Sequence, residues 1–439
     1  MHQRALTVAV AALLAGSALA AQNTLRVGPG QRFTELQPAI DAAAPGDRIV
    51  VAIGTYNAAN LQPVVVHKPL NIVADAGDVL GIQRAVVYRG LRCVGIPAGT
   101  AVTLANLRIV SGDMPGVRGL TALDVVDCPG TVAVHGCDLF SSGTRDAQGR
   151  VLYLADPVVS VARATVVLTS VRCFGGWGSA ALSATDAQVF LDQSWTGQSV
   201  GSYVIQGEPS FYADAIGVIA NGPVGRAAVL VRSFASISGA QVSGAGALPG
   251  TWPRGGDAIQ MSGGELHLIG CLVRGGPGAS GGAAPGGAGG DGLVHAGTVL
   301  VDGSTGILGG TGGAGTPPGA AGTAVTGAAP QVAPIPLLSA PRTPSHTTPL
   351  SFQTSVPTPF VYWIIGSAAA PGVVPGVHGL LLHDPGFPLY VEGPGTRSQL
   401  DLPFFDVPGA SLFVQTMAID PITLAAYFST PCVAAIRGL

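Results

Sequence analysis

Apolar residues in this chain come in short bursts that alternate with small or polar residues and end at glycine or serine. The same phrase recurs along the middle of the sequence. It reads Ala101-Val-Thr-Leu-Ala-Asn-Leu-Arg-Ile-Val-Ser-Gly112, then Thr131-Val-Ala-Val-His-Gly-Cys-Asp-Leu-Phe-Ser-Ser-Gly143. Shorter versions begin at Thr165, Gln188, Ala235, Glu265 and Thr298, so the starts lie 30, 34, 23, 47, 30 and 33 residues apart. Period-two alternation buries one face of a strand, and a recurring phrase lets equivalent strands stack into a core that no single unit holds alone. The varying period places insertions in turns. A leucine-rich repeat needs helical segments and a propeller needs four strands per unit, so the pattern predicts a parallel β-helix solenoid.

A solenoid must cover its open end. Phe33 to Asp47 supplies a short capping helix with Leu36, Ile40 and Ala44 on one face and Pro45-Gly46 as the stop, after which Arg48-Ile-Val-Val-Ala52 begins the first coil. Composition agrees. The 65 glycines and 34 prolines exclude long helices from most of the chain, while abundant Val, Ile and Leu argue against disorder.

Phe33, Leu36, Ala39-Ile40, Ala42-Ala43, Gly46-Asp47-Arg48-Ile49-Val50-Val51 and Gly54-Thr55-Tyr56 resemble the N-terminal cap and first rung of pectin-lyase-like β-helix proteins. The resemblance implies a right-handed parallel β-helix over residues 24–335. It implies carbohydrate as a family tendency, in a superfamily that also holds non-catalytic members.

Other stretches divide the chain. Residues 1–20 carry Arg4, an apolar run from Ala5 to Leu14 and a small-residue cleavage site at Ala18-Leu19-Ala20, the pattern of a removed signal peptide. The run is too short to span a bilayer, and no later segment has the length and apolarity of a spanning helix. The expected domains are the leader 1–20, a β-helix 21–335, a proline-rich linker 336–349 and a β-rich domain 350–439. Strands in that last domain are expected at Leu350, Phe360, Gly379, Ser398 and Ser411 and suit a small antiparallel sandwich. Export follows, to the medium, the cell surface or the periplasm. Lys68 is the only lysine and the net charge is −3, so no basic stripe exists for nucleic acid. The partners expected are extracellular polysaccharide or components of the cell envelope.

Candidates for chemistry are few. Asp257-Ala-Ile-Gln and Asp291-Gly-Leu-Val occupy the same place in consecutive coils, with Asp156 and Asp214 as further members of the row. Stacked carboxylates suit calcium or general acid–base work, with His295 as a base. The plainer reading is that each Asp supports the turn before its strand. Gly286-Gly-Ala-Gly-Gly-Asp-Gly-Leu-Val294 matches a calcium-binding nonapeptide, but no tandem copy follows, and a flexible glycine-rich turn is the alternative. Trp177, Trp195, Tyr212 and Trp252, in the longest break of the repeat, are candidates for stacking on sugar rings. Six cysteines would allow three disulfides. Cys137 and Cys271 share one register, Cys173 falls two residues later, and Cys93 and Cys128 precede successive phrases.

Arginine and lysine are not found clustered with acids on one aligned face, and the polygalacturonase and pectinesterase motifs are absent. Two functional classes follow. One is a non-catalytic structural, adhesive or glycan-contacting protein. The other is a polysaccharide lyase or glycoside hydrolase.

Overall fold

The computed structural model of the chain describes residues 23–57, 62–75, 85–111, 121–141, 157–169, 171–174, 180–192, 195–196, 201–206, 210–214, 217–219, 228–244, 246–247, 254–339, 350–355, 361–366, 372–373, 377–378, 380–381, 390–395, 399–402, 411–420, 422–429 and 432–435. The leader assigned to 1–20 lies outside them. Among the described residues no helix is long and apolar enough to cross a membrane.

The fold is all-β, built from parallel strands stacked in three lanes. Two lanes share the 18-stranded sheet and the third is the ten-stranded sheet. One coil runs Leu91–Val94, Ala101–Ala105, Arg108–Ser111, and the next places Leu123 on Leu91, Thr131 on Ala101 and Asp138 on Arg108. Each phrase of the sequence is thus a strand of the second lane, a sharp corner, and a strand of the third. The corner needs a left-handed residue, supplied by Asn106 (φ 59°), Gly136, Gly239 and Gly270 at equivalent places. The 47-residue gap after Gln188 hides one more coil, because Ser210–Asp214 pairs with Gln188–Asp192 on one side and Phe234–Ser238 on the other.

Inward positions form one continuous core, with Leu104, Leu107, Ile109, Val132, Val134, Cys137 and Leu139 fully buried on two adjacent coils. Strand alternation puts their neighbours outside, yet Ala133, Val167, Phe190, His267, Ile269 and Leu300 are buried as well. The second lane is therefore covered on both faces, and its sequence reads as nearly unbroken apolar runs such as Val166-Val167-Leu168. Part of the cover comes from the antiparallel C-terminal strands. Tyr427 packs on the cluster of Ile269, Leu300, Ala333 and Ile335, and Cys432–Ala435 touches Gln188–Asp192.

Besides the short antiparallel pair Gly372–Val373 and Leu380–Leu381, the described C-terminal strands form two groups, antiparallel except that Val377–His378 runs parallel to Ala426–Phe428. Leu337–Ser339, Leu350–Ser355 and Gln399–Leu402 make one. In the other, Ser411–Ile419 lies between Val361–Gly366 and the pair Ala426–Phe428 and Cys432–Ala435. Leu337–Ser339 falls inside the proline-rich stretch and is already a strand of the first group.

The cap is the helix Leu36–Ala42, with Leu36, Ala39 and Ile40 buried. The helix stops two residues earlier than its apolar spacing suggests, so Ala43 is buried and Ala44 is exposed. Polar side chains tie the cap to the first coils. Gln37 accepts from the Val65 N–H at 2.7 Å and donates to the Val65 carbonyl at 3.1 Å, standing in for a missing strand. Lys68 donates to the carbonyls of Asp41 and Ala43, the free acceptors of the helix C-terminus.

From Gly244 to Ala324 the coils carry a lateral extension of a different kind. Here backbone hydrogen bonds recur every third residue: Gly275, Gly278 and Gly281 donate to Leu308, Thr311 and Ala314, while Gly286, Gly289 and Gly292 donate to Pro317, Ala320 and Thr323. A β-ladder cannot produce that period, whereas extended helices with three residues per turn and no internal bonds do. Two layers of such helices lie back to back. One holds 274–281 and 308–315, the other 254–258, 286–292 and 317–324. A zigzag joins them, with Gly276 donating to Gly256, Gly290 to Gly276, Gly310 to Gly290 and Gly322 to Gly310, all at 2.8–2.9 Å. A Cβ on Gly310 would sit 2.0 Å from the Gly276 oxygen, and one on Gly313 1.9 Å from the Ala279 oxygen. The nonapeptide 286–294 is therefore part of a packed backbone lattice and not a flexible turn.

Candidate functional site

Asp257 and Asp291 lie where the inner glycine layer runs into the first lane, and the pairing of Ile259 with Leu293 puts them in equivalent positions. Arg254 closes on both, its Nη2 standing 3.0 Å from Asp257 Oδ1 and 3.2 Å from Asp291 Oδ2. Each carboxylate also reaches the coil above. Asp257 Oδ1 accepts the Asp291 N–H at 2.9 Å, and Asp291 Oδ1 accepts the Thr323 N–H at 2.8 Å. These are bonds between coils, which replaces the reading of an Asp bracing its own turn. Burial raises the pKa of Asp291, but the N–H and hydroxyl of Thr323, the Thr326 hydroxyl and Arg254 together outweigh it and hold the carboxyl below its usual range.

This geometry fits a guanidinium clamp and does not fit calcium. The carboxylate oxygens face Arg254 and backbone N–H groups, and no group of three or more His, Cys, Asp or Glu residues placed for a metal occurs among the described residues. His295 is buried, with Nδ1 2.9 Å from the Gly297 carbonyl and Nε2 2.8 Å from the Ala328 carbonyl. Both ring nitrogens thus face backbone carbonyls, which leaves neither turned to a substrate. Asp214 belongs to a different row, paired with Asp192 and Ser238 in the second lane. Asp156 lies outside the described residues.

Among the aromatic candidates, Trp177 and Trp252 lie outside the described residues. Trp195 sits in the ten-stranded sheet, paired with Arg172, while Tyr212 sits in the second lane between Phe190 and Ser236. The backbone therefore puts Trp195 and Tyr212 on different lanes, and they do not form one surface.

The cysteines divide by position. Cys137 and Cys271 follow equivalent corner glycines, and each thiol donates inward to two carbonyls, His135 and Leu104 for one, Ile269 and Ile237 for the other. Cys173 pairs with Leu139 two residues further on, whereas Cys93 pairs with Val125 and Cys128 with Ala164. All five are buried, and none is in a disulfide. Burial pushes the Cys173 thiol up to about 12 and raises Cys93 well above its ordinary value.

One cluster escaped the sequence reading. On the outer face of the ten-stranded sheet, Arg108, Asp138 and Arg172 stack on consecutive coils. Arg172 grips the buried Asp138 with both arms, Nε to Oδ1 at 2.6 Å and Nη2 to Oδ2 at 2.8 Å, and Arg108 approaches from the other side at 3.9 Å. Beside them Phe140 and Phe174 stack with centroids 4.5 Å apart and planes 8° from parallel, and the Arg108 guanidinium lies over Phe140 at 5.0 Å. The signal was available as the residue after each second corner: Leu107-Arg108, Cys137-Asp138, Val171-Arg172.

No protein-family model matches the chain, and no curated protein matches it. Solved structures do. A pectin methylesterase from Aspergillus niger is 12% identical over 70% of this chain and 86% of its own, with a TM-score of 0.30. A protein titled Geobacillus virus E2 ORF18 is 10% identical over 74% of this chain and 67% of its own, at 0.28. An alginate lyase from Paenibacillus sp. str. FPU-7 is 13% identical over 69% of this chain and 99% of its own, at 0.18. Likeness this low transfers no activity. The class rests on the strand pairings themselves, which define an all-β protein of stacked parallel coils.

Proposed function

We propose that this chain is an exported right-handed parallel β-helix protein of the pectin-lyase-like type, and that its ten-stranded face contacts polysaccharide without cleaving it. The observation that carries the reading is the outward pair Phe140 and Phe174, stacked beside Arg108 and Arg172 on successive coils. Sugar rings lay their C–H faces on aromatic surfaces, and the guanidinium N–H groups that Asp138 does not take can donate to hydroxyl oxygens. Strand register places Trp195 one coil beyond Arg172. Against catalysis stand the engaged groups: Asp257 and Asp291 are clamped by Arg254, Asp138 is gripped by Arg172, and both His295 nitrogens face carbonyls. In this reading residues 1–20 are removed on export, 21–335 form the β-helix, 336–349 connect while lending the strand Leu337–Ser339 to the module that follows, and the β-rich module 350–439 covers part of the coil stack. The destination is the medium, the cell surface or the periplasm.

The test is binding of the purified mature protein to neutral and acidic polysaccharides, with new chain ends assayed in the same samples. Phe140→Ala/Phe174→Ala should weaken binding about tenfold, the loss of roughly 1.4 kcal/mol of ring contact. Undiminished binding would remove this face from the reading. New chain ends that vanish in Asp257→Asn/Asp291→Asn would replace it with an enzyme.

A further inference from the structure

Among the described residues the glycine sandwich ends in an unfilled step. Within it every rung of the outer layer sends N–H groups upward to the next, as Gly275, Gly278 and Gly281 do to Leu308, Thr311 and Ala314. The last rung of that layer has the same donors in Gly309, Gly312 and Gly315, and these N–H groups have no partner among the described residues. The zigzag between layers stops as well. It reaches Gly319 and Gly322, whose carbonyls receive no donor from a further rung among the described residues. Three donors spaced about 9 Å apart therefore form the floor of the step, and two acceptors line its wall.

Another peptide rung cannot fill this step. In the preceding rung the wall positions are Gly286, Gly289 and Gly292, where a Cβ would lie 2.0, 2.2 and 2.6 Å from the carbonyl oxygens of Gly313, Gly310 and Leu308 in the rung packed against them. Their equivalents one coil on are Pro318, Ala321 and Ala324, so each carries the Cβ that the lattice excludes. A chain of hydroxyl groups is not bound to that lattice spacing, and each hydroxyl both donates and accepts. The step is also uncharged: residues 303–341 contain no Asp, Glu, Lys, Arg or His.

We infer that this step binds an extended neutral polysaccharide, whose hydroxyls accept from Gly309, Gly312 and Gly315 and donate to Gly319 and Gly322, with Pro318, Ala321 and Ala324 against the ring faces. The inference rests on the glycan reading above but on a separate surface, so the two can fail separately.

Amide hydrogen exchange of the full mature protein, with and without neutral or uronic acid oligosaccharides, tests it. Neutral oligosaccharides should slow exchange at Gly309, Gly312 and Gly315 by about fivefold or more. That protection should persist in Phe140→Ala/Phe174→Ala and disappear in Ala321→Trp, with the smaller Ala321→Ser retaining it as a control for folding. No protection by neutral oligosaccharides, or protection by the uronic acid series alone, would overturn the inference. So would protection without any glycan that rises with protein concentration, since a second copy would then cover the step.

Discussion

The coils from Arg48 to Ser141 and the glycine sandwich from Gly244 to Ala324 satisfy their backbone groups in opposite ways. In the coils, strands pair residue by residue, and Leu104, Ile109, Val132, Val134 and Leu139 fill the interior. In the sandwich, bonds come every third residue and the interior is backbone alone. The difference is one of tolerance. A side-chain core can repack around a change of one methylene, but a lattice of carbonyls 2.0 Å from each missing Cβ has nothing flexible to move.

The sharpest way to break this comparison is to put methyl groups into the lattice. Gly310→Ala/Gly313→Ala should destabilise the protein by about 4 kcal/mol or more, with loss of amide protection at Gly287, Gly290 and Gly322 in hydrogen exchange. Leu104→Ala, which empties a fully buried site in the coil core, should cost about 3 kcal/mol in denaturant unfolding and leave those amides protected. If the glycine pair proves the milder change, the lattice is softer than the core. Ile269→Ala sits on the outer face under Tyr427 and should cost about 2 kcal/mol, seen as faster proteolysis within residues 390–435.

Two smaller effects sharpen the picture. Cys93 and Cys173 should resist alkylation in the native protein at neutral pH, because burial disfavours their thiolates, and peptide mass spectrometry should find them labelled only after unfolding. Asp291 has a lowered folded pKa, so its contribution to stability is whole above the ordinary carboxylate range and is lost as pH falls through the folded value, below about pH 4. Asp291→Asn should therefore be less stable than the parent at pH 7, and the gap should close at acid pH in urea titrations.

Much of the architecture was legible in the sequence. The phrases starting at Ala101, Thr131, Thr165, Gln188, Glu265 and Thr298 are strands of one lane, because period-two alternation and corner residues such as Asn106 and Gly136 are local requirements. Ser210–Asp214 escaped because its coils are only 22 and 24 residues apart, which made two coils look like one gap. The stacking of Asp257 on Asp291 was readable from the repeat. Arg254 as their clamp was not, since it lies outside the repeated phrase and no period-two pattern marks its position. The pair Phe140 and Phe174 is 34 residues apart in the chain and meets only through the register of the third lane, which local composition does not reveal.

The sequence by itself determined the coil, its cap and the burial of one strand face, because these depend on the alternation and corner chemistry of neighbouring residues. Only the tertiary structure decided that the outer face of the second lane is buried too, and that the glycine-rich stretches form a two-layer lattice. Composition alone reads glycine as freedom. Here packing against the backbone of a neighbouring rung, as with Gly310 on Gly276, turns its missing Cβ into a close-packed contact, and no local pattern records which backbone will be there.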